Sequence, residues 1–400
     1  MNAKIALVVG TRPEAIKLAP LVRALRATPG VEPVLVSTGQ HRQMLDQALR
    51  VFGLAPDVEL GVMTPGQTLE AITARTLEGM REFLASARPV RVVVQGDTTT
   101  AFAAALAAFY ARIPVAHVEA GLRSGDRDSP FPEEINRRLV DQLSDELYAP
   151  TAPARQLLLR EGFDPGSVLE TGNTVVDALL WAREILRMRN VAVVGPTRAE
   201  LGDRRLVLVT AHRRESFGPG VESICRAVVR IVRAVPDVEV VYPVHLNPNV
   251  DGPVRRILGS EPRIRLLPPL DYLSFVALLD TCHLVLTDSG GVQEEAPTFG
   301  KPILVMRDVT ERPEGITAGV AKLVGTSEAR IAGEAIRLLE DAGAWRAMAT
   351  GANPYGDGTA AHRIASRLQW LQGDVARRSR SVVQSGRVAG TMSSEKYHQK

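Results

Sequence analysis

The sequence predicts an α/β protein built from two doubly wound, Rossmann-like units. Three observations carry this. Short β-branched runs alternate with longer amphipathic stretches from the first residues onward, the early runs each lead straight into Gly, Thr, Glu or Pro, and the whole pattern restarts in mid-chain. Such alternation marks a parallel sheet with helices on both faces, because each parallel crossover needs a helix-length connection. The 400 residues suit two domains of ~100–200 residues each.

The first set of strands is expected at Lys4–Val9, Val34–Ser37, Val90–Gln95, Pro114–Val118 and Leu147–Ala149. A helix over Glu14–Ala27 follows the first, with Leu18, Leu21, Val22 and Leu25 at helical spacing. After Gly172 the pattern resumes with expected strands at Leu206–Thr210, Val238–Tyr242, Ile264–Leu267, Leu284–Thr287 and Ile303–Met306. The domains are therefore expected at 1–171 and 172–365. A final helix, Gly358 to about Gln372, is long enough for its end (about 366–376) to cross back to the first domain. Residues 377–400 are polar, basic and without periodicity, and are expected to form a disordered tail.

With 45% apolar and 23% charged residues, the composition excludes collagen, coiled coil and wholesale disorder. The net charge is +3, but the tail carries six cations against Glu395 alone. The remainder holds 42 cations against 44 acids, a net of −2. Only six of the 48 cations are lysine, so the arginine excess is a bias of the whole chain rather than a nucleic-acid footprint. Cys225 and Cys282 allow at most one disulfide and lack metal-clip spacing, which points to a reducing cytoplasm. No run approaches ~18 apolar residues, and Ile5–Val9 is too short for the core of a signal peptide. The expectation is a cytoplasmic protein with neither nucleic acid nor membrane as partner.

Ligands of open parallel sheets bind at the carboxyl ends of the strands. There the chain reads Gly10-Thr11-Arg12-Pro13-Glu14, Thr38-Gly39-Gln40-His41-Arg42, Gly96-Asp97-Thr98-Thr99 and Glu119-Ala120-Gly121-Leu122-Arg123-Ser124. Singly, Thr98 or Thr99 reads as a helix cap, Pro13 as a first-turn residue and Asp97 as a turn former; jointly they mark one cleft edge. The second unit adds Ala211-His212-Arg213-Arg214-Glu215 and Asp288-Ser289-Gly290-Gly291, the latter opening a helix expected at Val292–Phe299. A Ser-Gly-Gly turn of this kind presents amides to a phosphate or diphosphate. Glu294 and Glu295 either complement that helix's dipole or offer one carboxylate to a ribose diol. Arg307 and Arg312 are placed to reach the same anion. The first turn has a single glycine, Gly10, where a nicotinamide fingerprint needs three, and Gly356-Asp357-Gly358-Thr359-Ala360-Ala361 follows no strand and reads as a helix start. Gly300-Lys301 precedes Pro302 and is no Walker loop. The seven histidines show no i,i+4 pair, so no metal is expected.

The strings Gly10–Pro20, Thr38–Arg42, Gln95–Thr98, His117–Arg123, Pro132-Glu133-Glu134-Ile135-Asn136-Arg137 and Thr287–Glu295, in this order, closely resemble the bacterial non-hydrolysing UDP-N-acetylglucosamine 2-epimerases. The resemblance implies a GT-B type fold with the substrate between the domains, a homodimer, and conversion of UDP-GlcNAc to UDP-ManNAc without NAD or metal, for cell-surface polysaccharide. It places catalytic carboxylates at Asp97, Glu119 and Glu133 and an essential histidine at His212, as proton carrier or diphosphate ligand. It places substrate contacts at Arg12, Arg213, Ser289, Gly290, Gly291, Glu295 and Arg312, with Lys17 supporting the first loop. A second, activating UDP-GlcNAc would lie at Gln40, His41, Gln43, Gln67, Arg213 and His245. Gly66 stands where some activator-binding relatives carry arginine.

Chemistry agrees with the implied route. The C2 hydrogen of an N-acetylhexosamine has no adjacent carbonyl, so inversion needs a detour, and elimination of UDP to 2-acetamidoglucal requires the acids, bases and cations of this inventory. Glu133 follows Pro132 at an expected helix start, where the dipole favours a base or cation-stabilising role over an acid. Glu134, about 100° away around the helix, is expected to be structural. The rival readings are a hydrolysing 2-epimerase and a GT-B glycosyltransferase.

Overall fold

The computed structural model describes residues 2–39, 42–62, 64, 66–189 and 191–372, with Arg42 and Gln43 described by backbone alone. Gln40 and His41, the Gln43 side chain and the tail 377–400 lie outside the described residues.

Two parallel sheets form, each flanked by helices, in a GT-B-like pair of Rossmann-like domains. The first contains β1 (Ala3–Val9), β2 (Val31–Ser37), β3 (Val58–Glu59), β4 (Arg91–Gln95), β5 (Val115–Val118), β6 (Glu146–Ala149) and β7 (Val168–Glu170). The second contains β8 (Arg205–Thr210), β9 (Val238–Pro243), β10 (Ile264–Leu267), β11 (Leu284–Thr287), β12 (Ile303–Val305) and β13 (Ala321–Leu323). Their orders are β3-β2-β1-β4-β5-β6-β7 and β10-β9-β8-β11-β12-β13. Ten of the thirteen overlap the strands expected from sequence; β3, β7 and β13, of two or three residues, do not. The central strands are buried from end to end, the pattern of a sheet covered on both faces.

The first helix spans Arg12–Arg26, two residues earlier than expected. Pro13 stands in its first turn, and Glu14 folds back to accept the Gly10 and Thr11 amides at 2.8 and 2.6 Å. The helix expected at Val292–Phe299 starts at Gly290 and changes after Glu295 into a 3₁₀ turn, Ala296–Phe299; Pro297 lacks the amide that would continue the α pattern.

The helix Thr174–Met188 packs on both Arg12–Arg26 and Tyr272–Thr281. One apolar cluster therefore runs from Leu18 and Leu21 through Ala178 and Leu179 to Leu206 and Val285. The last helix is described over 360–372. Asp177 accepts its Ala360 and Ala361 amides at 3.3 and 2.9 Å, which confirms the glycine pattern before it as a helix start. Arg367 then meets both oxygens of Glu146, at 2.8 and 2.9 Å, on the first sheet.

Candidate active site

Strand order reverses between β1 and β4 in the first sheet and between β8 and β11 in the second, where an open sheet leaves a crevice beyond its strand ends. A cleft of about 460 Å³ opens there between the domains. Arg12, Lys17, Asp97 and Glu119 line it from the first domain, and Phe275, Gly291, Glu295 and Arg312 from the second. Larger hollows of about 710 and 790 Å³ lie along the β2–β3 edge and between the helices Leu69–Ala87 and Thr99–Tyr110, away from both reversals.

The structural roles separate cleanly from the cleft-facing ones. Thr98 caps its helix through the Ala101 amide at 3.0 Å and donates to Glu14 at 2.5 Å. Glu14 is thereby spent on holding the β1 turn. Glu134 is fully buried, accepting the Ser124 amide at 2.9 Å and pairing with Arg138 at 2.8 Å, which is the structural role expected of it. Glu133 is the first residue of the helix Glu133–Leu143. Its Oε2 is buried with no hydrogen-bond partner in the described structure. Glu133 is not among the residues lining the cleft.

Glu119 follows β5 in a left-handed conformation, φ 72°, which costs of order 1–3 kcal/mol at a non-glycine residue. The amides of Glu119 and Ala120 both donate to the Tyr148 carbonyl, at 3.0 and 3.1 Å. Gly121 follows at φ 83°, where a Cβ would stand 2.6 Å from the Ala154 carbonyl. This turn takes Glu119 out of the strand and against Lys17.

Lys17 does more than support the first loop. Its ammonium pairs with Glu119 and lies 3.3 Å from Glu294 across the cleft. Glu294 is also paired with Arg312 and receives Asn173 Nδ2 at 3.3 Å. Burial opposes the Glu294 charge, yet Arg312 and Lys17 together hold its carboxyl below the ordinary range. Burial pushes the Glu119 carboxyl up, Lys17 offsets part of this, and Glu294 adds to it. Burial and the neighbouring Glu294 raise Glu295 from 4.5 to about 7. Of the adjacent pair, then, Glu294 belongs to the ion cluster rather than to the helix dipole.

Asp97 is held by residues that the sequence did not mark as functional. Arg137 pairs with its carboxylate, and Asn136 Nδ2 donates to its carbonyl at 3.0 Å. On the second domain, Asp288 is fully buried and accepts the His212 and Arg213 amides, both at 2.8 Å. His212 stacks on His245 with ring centres 5.5 Å apart. Burial lowers the His212 pKa, Asp288 opposes this, and His245 and Arg213 reinforce it. The Arg213 guanidinium passes over Gly290, 3.7 Å from where a Cβ would stand. Ser289 donates its amide to Thr287 Oγ1 at 2.9 Å. Gln67 accepts the Thr64 amide at 3.1 Å. Arg307 is a correction: Glu215 and Glu311 engage its guanidinium, and unlike Arg312 it does not line the cleft. Among the described residues no group of three or more His, Cys, Asp or Glu could hold a metal ion, and no helix is long and apolar enough to cross a membrane.

The family model described as UDP-N-acetylglucosamine 2-epimerase matches residues 23–369. The UDP-N-acetylglucosamine 2-epimerase of Escherichia coli K12 is 52% identical over 374 residues, covering 92% of this chain and 98% of its own. That of Bacillus subtilis is 46% identical over 374 residues, covering 92% and 96%. Among solved structures, the Neisseria meningitidis enzyme bound to UDP-GlcNAc superposes with a TM-score of 0.83 at 42% identity, covering 91% of this chain and 99% of that one. The Methanocaldococcus jannaschii enzyme, in complex with UDP-GlcNAc and UDP, gives 0.75 at 34%, covering 92% and 99%. Identity sustained over both domains, together with a cleft at the paired strand reversals, shows that the chain belongs to the UDP-N-acetylglucosamine 2-epimerase family.

Proposed function

We propose that this chain is the non-hydrolysing type, a cytoplasmic homodimer that interconverts UDP-GlcNAc and UDP-ManNAc to supply cell-surface polysaccharide. The observation that carries the proposal is the meeting of Asp97 and Glu119, from adjoining strand ends, with Arg12, Lys17 and Arg312 in one interdomain cleft. Cleavage of the sugar–diphosphate bond needs positive charge at the leaving oxygen, and proton exchange at C2 needs positioned acids and bases.

In the first step a carboxylate removes the C2 proton. The C2–H electron pair forms the C1–C2 double bond as the C1–O bond breaks and its pair passes to the diphosphate of UDP. In the second, the diphosphate oxygen re-adds to C1 of 2-acetamidoglucal and a proton arrives at the opposite face of C2. Glu119, whose carboxyl burial pushes up against the pull of Lys17, is assigned to deliver that proton, and Asp97 and Glu133 to the base. Arg12, Lys17, Arg213, Ser289, Gly290, Gly291 and Arg312 are assigned to the diphosphate, Glu295 to the ribose and His212 to the leaving group. The test is NMR of pure protein with UDP-GlcNAc: UDP-ManNAc should accumulate to equilibrium, whereas free ManNAc appearing in step with UDP from the outset would contradict the reading.

The stacking of His245 on His212 supports an activator site at Gln40, His41, Gln43, Gln67, Arg213 and His245 that communicates with the cleft. UDP-ManNAc alone should then turn over slowly until UDP-GlcNAc is added; rapid turnover without it would count against the site.

A further inference from the structure

His117, in the middle of β5, has no part in the mechanism above. Its ring is fully buried, with Nδ1 2.7 Å from Asp141 Oδ1 and Nε2 2.8 Å from the Gly96 carbonyl. A carbonyl oxygen only accepts, so Nε2 carries a proton and donates it to Gly96. Gly96 immediately precedes Asp97 and sits at φ 69°, with its own amide donated to the Val118 carbonyl at 3.0 Å. The Asp97 turn is therefore held from below by β5 and from the side by Asn136 and Arg137.

Asp141, which backs His117, lies on the same helix as those two residues. Glu133, Arg137 and Asp141 recur every four residues and share one helix face. Asp141 also lies 2.8 Å from Arg123, which continues to Glu161 at 2.6 Å. All three proposed catalytic carboxylates thus depend on one buried junction. Asp97 hangs on the Gly96 carbonyl, Glu119 stands two residues beyond His117, and Glu133 opens the helix that carries Asp141.

We infer that His117 is a positioning residue: its Nε2–H bond to the Gly96 carbonyl, braced by Asp141, sets the Asp97 carboxylate relative to Glu119 and Glu133. The inference rests on the epimerase reading, because only a reaction that divides proton transfers among these carboxylates needs their spacing fixed. Displacing a reacting group by about 1 Å costs about 10²-fold in rate.

The two amide substitutions separate positioning from packing. In His117→Gln the terminal amide reaches as far as Nε2 and keeps the Gly96 donor; in His117→Asn it stops short, near the Nδ1 position. The expected result is that H117N loses about 10²-fold in kcat with KM nearly unchanged, while H117Q recovers most of the loss. Thermal unfolding of both is recorded alongside, since a merely structural role lowers the two in parallel. Asn136→Ala removes the second donor to the same turn without touching His117, and should also lower kcat rather than raise KM, whether or not H117N folds. Equal impairment of H117N and H117Q, or losses confined to KM, would overturn the inference. Histidine-selective ¹⁵N NMR of the wild type provides a readout independent of turnover: a slowly exchanging Nε2–H is expected, and a ring protonated only at Nδ1 overturns the assignment. A wild-type protein that shows this signal but does not epimerise would instead remove the functional reading.

Discussion

At the scale of single residues, the shape of the cation at Lys17, set between Glu119 and Glu294, matters as much as its charge. The chain uses arginine for 42 of its 48 cations, yet lysine stands between Glu119 and Glu294. An ammonium is a compact point charge that fits between two carboxylate oxygens, whereas a guanidinium is a planar fork. Lys17→Arg should therefore fold but lose about 10²-fold in kcat/KM, measured by initial rates of epimerisation; full activity would show that charge alone suffices. Glu295 yields a pH prediction. Its carboxyl titrates near 4.5 when unfolded and at about 7 in the folded protein, so the folded state retains a proton that the unfolded chain has lost. Wild type should therefore lose stability relative to Glu295→Gln as pH rises from 4.5 to about 7, with the gap constant above that. Denaturant melts of both proteins across this range check the sign; a gap independent of pH would show that Glu295 titrates normally.

At the scale of elements, the turn after β1 explains its lone glycine. A Cβ on Gly10 would lie 2.4 Å from Thr100 Oγ1 and 2.7 Å from Thr38 Oγ1, so the position is fixed by close packing at the strand reversal. Gly10→Ala should cost about 1–3 kcal/mol by overpacking, read by urea denaturation; an unchanged midpoint would show that the threonines move aside freely. The legibility of the fold follows the same local logic. Leu284–Thr287 forms a strand as expected because its apolar run is continuous and ends in Asp288. Val58–Glu59, Val168–Glu170 and Ala321–Leu323 are too short to show a period and exist only because a neighbouring strand offers a ladder. In the site, Asp97 and Glu119 were legible because polar residues directly after apolar runs fall at the strand ends. His117 and Asp141 were not, since each looks like an ordinary core or helix residue until register brings them within 2.7 Å. The division of labour between Glu294 and Glu295 was equally hidden: adjacent helical positions look alike in sequence, and only packing shows which one meets Lys17.

At the scale of the whole molecule, the site exists because two similar sheets turn their strand reversals toward each other. Lys17 and Glu294 close the contact at the cleft, while the helix Thr174–Met188 and the last helix tie the domains together behind it. Substrate held between the domains would have its sugar near the carboxylates of one and its nucleotide near the Ser289-Gly290-Gly291 turn of the other. A UDP released by elimination would then stay bound while the glycal takes back a proton on its other face. Epimerisation of UDP-GlcNAc in D₂O tests this most directly. The account predicts that every molecule of UDP-ManNAc formed carries deuterium at C2; UDP-ManNAc formed with its original hydrogen retained at C2 would contradict it.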